Sequence, residues 1–125
     1  MFAIPAAKIT AFPVLDSLQK VSDLIFSGRP LLSHFQTPQG TDYLELRCDE
    51  DNTGHRTLLF AVEPADLGAF RNRELTLRRL LETAREGRIH LIERSQTGKT
   101  KAVKALPAAR IPDEYMPAKD SYYET

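Results

Sequence analysis

The fold turns on one stretch, Thr41-Asp42-Tyr43-Leu44-Glu45-Leu46-Arg47-Cys48-Asp49-Glu50-Asp51-Asn52-Thr53-Gly54-His55-Arg56-Thr57-Leu58-Leu59-Phe60-Ala61-Val62. Leu44, Leu46 and Cys48 alternate with Glu45 and Arg47. A period of two with one polar side marks a strand on a sheet that buries one face. Asp49 to Gly54 reads as a polar loop, and Arg56 to Val62 as the returning strand. That strand carries Leu58, Phe60 and Val62 on one side and Thr57, Leu59 and Ala61 on the other. Apolar residues on both sides predict a central strand, covered above and below.

Upstream, the apolar runs Lys20 to Phe26 and Leu31 to Gln36 flank Ser27-Gly28-Arg29-Pro30. Glycine beside proline predicts a tight turn between two strands. Leu18, Val21, Leu24 and Ile25 also fit helical spacing. A strand from about Val21 with a helical turn before it is expected, and a helix over residues 16–26 is the alternative. Residues 1–17, broken by Pro5 and Pro13, read as an extended lead-in.

Downstream, Glu63-Pro64-Ala65-Asp66 opens a helix. Proline suits the first helical position, where its missing N–H costs nothing, and a carboxylate is favourable in the first turn. A second helix starts at Thr76 as N-cap, with Leu75 and Leu80 spaced as a hydrophobic staple. Leu77, Leu80, Leu81 and Ala84 form its apolar stripe, and Gly87 is expected to end it. Arg88 to Arg94 and Lys99 to Leu106 then form a hairpin around Ser95-Gln96-Thr97-Gly98. Its second strand is thin in apolar bulk and carries Lys99, Lys101 and Lys104, as an edge strand does. The predicted architecture is α+β. A mostly antiparallel sheet of about five or six strands carries a helix pair (about 64–86) on one face. Residues 1–125 form a single domain, and 107–125 form an extended arm.

Length and composition fit that reading. A chain of 125 residues, 42% apolar and 27% charged, fills one domain and buries a core without staples. Cys48 is the only cysteine, which excludes an internal disulfide and any multi-cysteine metal site. A small secreted domain often pairs cysteines, so the expected setting is cytoplasmic. No apolar run reaches the ~20 residues of a membrane span, and Met1 to Thr10 lacks the basic start of a signal peptide.

Net charge is zero but unevenly laid out: −4 over residues 1–70, +7 over 71–110 and −3 over 111–125. Between residues 71 and 94 there are seven arginines and no lysine. Planar guanidinium groups suit carboxylate and phosphate recognition better than solubility alone requires. Arg71, Arg73, Arg78, Arg79 and Arg85 therefore form a candidate interaction surface, with Arg78 and Arg79 expected to face solvent. Tyr115, Tyr122 and Tyr123 join it, since tyrosine buries a ring while keeping its tip wet.

Candidate chemistry is sparse. Thr97-Gly98-Lys99-Thr100 ends like a phosphate-binding loop, but Glu93 stands where the first glycine belongs. Asp49-Glu50-Asp51-Asn52-Thr53-Gly54 opens like a calcium loop, but the twelfth position is Phe60 instead of a bidentate glutamate. Polar turns account for both. His34, His55 and His90 are scattered, and Cys48 lies on the apolar side of its strand, where it serves as a small hydrophobe. No catalytic residue, cofactor or metal is expected.

Several runs resemble an uncharacterised family of small bacterial domains. They are Gly28-Arg29-Pro30-Leu31-Leu32-Ser33-His34, Gly40-Thr41-Asp42-Tyr43-Leu44, Asp49-Glu50-Asp51, and Leu75-Thr76-Leu77-Arg78-Arg79-Leu80-Leu81. Pro112-Asp113-Glu114-Tyr115-Met116-Pro117 and Asp120-Ser121-Tyr122-Tyr123 are similar to that family's tail. The likeness covers roughly residues 20–123 and implies a bacterial origin, with mobile-element association left open. It implies no activity and no catalytic residue. The expected function is a non-catalytic interaction module binding another protein or itself. The alternatives are a nucleic-acid accessory protein using the basic 71–110 segment, and a small enzyme without a recognisable motif.

Overall fold

The computed structural model describes residues 14–84 and 89–123. Six strands form one antiparallel meander in the order β1-β2-β3-β4-β5-β6. They are β1 Gln19–Phe26, β2 Pro30–Gln36, β3 Asp42–Asp51, β4 Gly54–Val62, β5 Ile89–Ser95 and β6 Thr100–Leu106. Helix α1 is a single turn, Val14–Ser17, where the sequence reading places the end of an extended lead-in. Helices α2, Pro64–Arg71, and α3, Leu77–Glu82, lie between β4 and β5.

Every strand pairs with its sequence neighbour, through short turns except between β4 and β5, where the connection carries α2 and α3. The β3–β4 hairpin is longer than the polar residues suggest. Asp49 to Asp51 stay in the strand, and Asn52 and Thr53 alone make the turn. The Asp51 carboxylate takes the Thr53 N–H at 2.8 Å and the Thr53 hydroxyl at 2.6 Å, closing the turn locally. Gly54 follows at φ +148°, and a Cβ there would meet the Arg94 carbonyl oxygen of β5. Only glycine lets the two backbones come so close.

The sheet has two different faces. Leu24, Leu32, Leu44, Leu58, Phe60, Val62, Ile89 and Leu91 share one buried cluster with Leu67, Phe70, Leu77, Leu80 and Leu81 of α2 and α3. A second, smaller cluster on the opposite parity joins Tyr43, Leu59, Ala61, Ile92 and Val103, with Val14, Leu15, Leu18 and Phe35 packed against it. β4 is interior and buried on both sides, because 58, 60 and 62 serve the first cluster and 59 and 61 the second.

Helix α3 is only six residues long, yet its first-turn donors are all used. Leu77 N–H donates to the Ser121 carbonyl at 2.9 Å, and Arg78 N–H to the Ser121 hydroxyl at 3.3 Å. Arg79 N–H donates to the Thr76 hydroxyl at 3.1 Å, and Leu80 N–H to the Thr76 carbonyl at 2.9 Å. The helix stops at Glu82, five residues before Gly87, which lies outside the described residues. Thr83 explains the early stop. Its hydroxyl donates back to the carbonyls of Arg79 and Leu80 at 3.0 and 3.3 Å, a local bond that competes with continuing the helix.

After β6 the chain makes 3-10 turns at Ala108–Arg110 and Asp113–Tyr115. Ile111 is buried, and Tyr115, Met116 and Tyr123 pack against the larger cluster. The Tyr123 ring meets Phe70 at 5.2 Å between centroids.

Candidate functional site

The predicted arginine surface is divided by the fold. Arg78 is only partly exposed. Its guanidinium donates to the Pro117 carbonyl at 3.0 Å and to Asp113 at 2.8 Å, so it clasps the C-terminal segment. Arg71 and Arg73 are exposed, and Arg79 is exposed beside Glu82 at 3.6 Å. Arg85 lies outside the described residues. Tyr122 is exposed, whereas Tyr115 and Tyr123 are half-buried in the core packing.

The loops with partial motifs are occupied by their own structure. Ser95 and Lys99 close the β5–β6 turn by backbone bonding at 2.8 Å, with Gly98 at φ +86°. Asp49 and Asp51 both receive Arg56, at 2.8 and 3.2 Å, so a guanidinium engages the carboxylates with which a calcium loop would begin. Among the described residues, no group of three or more His, Cys, Asp or Glu side chains is placed to hold a metal ion. The Cys48 thiol approaches the Arg56 carbonyl at 3.5 Å, and burial pushes its pKa up to about 12. A thiol so far from ionisation is a poor nucleophile.

His34 sits in a buried polar cluster that sequence reasoning did not assemble. Its Nε2 lies 2.7 Å from Asp42 Oδ1, which also accepts from Gln36 Nε2 at 2.9 Å. Ser22 faces His34 across the β1–β2 pair. Both Ser22 Oγ and His34 Nδ1 are enclosed and, among the described residues, neither has a hydrogen-bond partner. The three residue types are those of a nucleophilic triad, but the hydroxyl is not bonded to the imidazole. An enclosed oxygen also presents no surface to a substrate. The cluster ties β2 to β3.

The richer polar surface lies on the second sheet face. Strand parity places Asp23, Ser33 and Glu45 in one cross-strand row, Arg47 and Thr57 in the next, and Glu50, His55 and Arg94 in a third. Lys20 joins from β1, 2.9 Å from Asp23 and over the Phe35 ring at 5.9 Å. Arg94 donates to Glu45 at 3.2 Å and to the Thr57 hydroxyl at 3.1 Å. Ser33 donates to Asp23 at 2.6 Å, which, with Lys20, holds that carboxyl below its usual range. Arg29 meets Glu50 at 2.5 Å.

Arg47 is the exception within this network. Its one ionic contact among the described residues is Glu50, at 3.9 Å, a carboxylate already engaged by Arg29. Arg47 Nε is buried and has no hydrogen-bond partner among those residues. Two cavities flank it. One of about 160 Å³ is lined by Lys20, Leu31, Ser33, Glu45, Arg47 and Thr57. The other, about 400 Å³, is lined by Arg47, Glu50, His55 and the turn Gln96-Thr97-Gly98. Burial first, and then Arg47 and Arg94, lower the His55 pKa against the opposing pull of Glu45 and Glu50.

The alternation of Glu45 and Arg47 is visible in sequence, but it reads there as an ordinary solvated side. Nothing along the chain indicates that residues from β1 to β5 converge on it. No family model, curated protein or solved structure matches the chain. Among the described residues no helix is long and apolar enough to cross a membrane.

Proposed function

We propose that the protein is a non-catalytic interaction module that engages another protein through the polar half of its second sheet face. The observation that carries this reading is Arg47, an under-paired and partly exposed cation that lines two cavities in an otherwise paired charge network. A cation that lines two concavities and has one long ionic contact leaves its terminal guanidinium nitrogens for a partner. Leu67 and Phe70 of α2 and Leu77, Leu80 and Leu81 of α3 belong to the buried cluster of the opposite face. The edges are poor docking sites. β1 is interrupted by register shifts around Ser22, Asp23 and Ile25, and β6 presents exposed Lys101 and Lys104. The lone cysteine in so small a chain supports a cytoplasmic setting.

Selection of a displayed random-peptide library on the immobilised full chain tests the reading without a known partner. Selected peptides are expected to lose binding to Leu31→Arg and Glu50→Arg, which place bulk over the two cavities, and to keep it with Arg79→Glu. Equal binding to both cavity variants, with loss on Arg79→Glu, would overturn it.

A second reading is favoured by Arg71 and Arg73, which are exposed and, among the described residues, unpaired. These arginines would contact nucleic-acid phosphates. A salt-sensitive mobility shift with DNA or RNA, removed by Arg71→Glu with Arg73→Glu, would favour it over the first.

A further inference from the structure

We infer that Arg47 anchors a single-carboxylate subsite, which takes one aspartate or glutamate side chain of the partner protein. The inference rests on the proposed docking face and specifies what is bound there.

Charge pairing on the face sets the ligand's sign and size. Lys20 is matched by Asp23, Arg94 by Glu45 and Arg29 by Glu50. Arg47 remains as one surplus cation with a long share of Glu50. One carboxylate completes this set. A phosphate monoester, at about −1.5 to −2 charge, would bring more negative charge than Arg47 alone balances, beside a fixed Glu45. The neighbouring cavity of about 160 Å³ has room for a carboxylate and its short stem.

The donors are also in place. Arg47 stands directly across from Thr57 in the β3–β4 register. Thr57 Oγ1 accepts from Arg94, so its own O–H is available to donate into the cavity it lines. A guanidinium and a hydroxyl on adjacent strands would share one carboxylate, and the charged fork supplies most of the strength. His55, on the far side of Arg47 and flanked also by Arg94, Glu45 and Glu50, would become easier to protonate as the new negative charge adds to the carboxylates and offsets the two arginines.

N-acetylglutamic acid α-amide and its glutamine counterpart serve as matched probes, added to the full chain while the His55 ring is titrated by NMR. The glutamate probe is expected to raise the His55 midpoint, and the glutamine probe at equal ionic strength to leave it unchanged. Arg47→Met should weaken the glutamate effect by about tenfold or more. Arg47→Lys should keep a weaker response, because charge remains without the fork, and Arg79→Met should keep all of it. An equal response in Arg47→Met, or tighter binding of inorganic phosphate than of the glutamate probe, would overturn the subsite. If the cavity variants block selected peptides while the glutamate probe fails, the docking face stands and the subsite alone falls.

Discussion

Arg73 illustrates how a residue can work against its local backbone. It follows α2 at φ +65°, with its N–H on the Phe70 carbonyl and the Glu74 N–H on the Ala69 carbonyl. Those two bonds make a Schellman close, whose left-handed position usually belongs to glycine. Arg73→Gly is expected to stabilise the fold by about 0.5–1 kcal/mol, raising the melting temperature by a few degrees in a thermal scan. A fall would show that the arginine side chain contributes more than its strained backbone costs. The sequence offers no sign of this, since a positive φ follows from where α2 has to stop. Cys48 was readable, because its strand parity already placed it among apolar neighbours. The Ser22–His34–Asp42 cluster was not, since it depends on registers across three strands.

At the scale of elements, period and punctuation carried most of the fold. All six strands could be placed from alternation and turn residues, with boundary shifts of a few residues. Pro64 and Thr76 correctly marked both helix starts. The end of α3 was misread, because Gly87 is a stronger stop in sequence than Thr83, while the Thr83 back-bond acts first. Between Pro107 and Tyr123 the C-terminal segment supplies two acceptors to α3, a buried Ile111 and a ring against Phe70. Truncation after Leu106 removes all of these together. Chemical denaturation should then report a loss of about 3 kcal/mol or more, from exposed apolar area and orphaned helix N–H groups. An unchanged midpoint would mean that the segment contributes nothing to stability.

At the scale of the whole molecule, linear charge is a poor guide to charged surface. The basic 71–110 segment is one run in sequence, but folding sends its parts to separate duties. Arg78 holds the C-terminal segment, Arg94 satisfies Glu45 and Thr57 on the second face, and Arg71, Arg73 and Arg79 remain exposed. The candidate site draws instead on Lys20, Ser33, Glu45, Arg47, Thr57 and Arg94, which the meander gathers from five strands. Each is unremarkable at its own position in the chain, so the cluster could be seen only once the registers were fixed. The central claim is that this face binds the partner, and amide chemical-shift mapping of the full chain with a selected peptide tests it most directly. The account predicts shifts concentrated on Ser33, Glu45, Arg47, Thr57 and Arg94. Shifts confined to residues 71–82 and 108–116, with those strand amides unmoved, would contradict it.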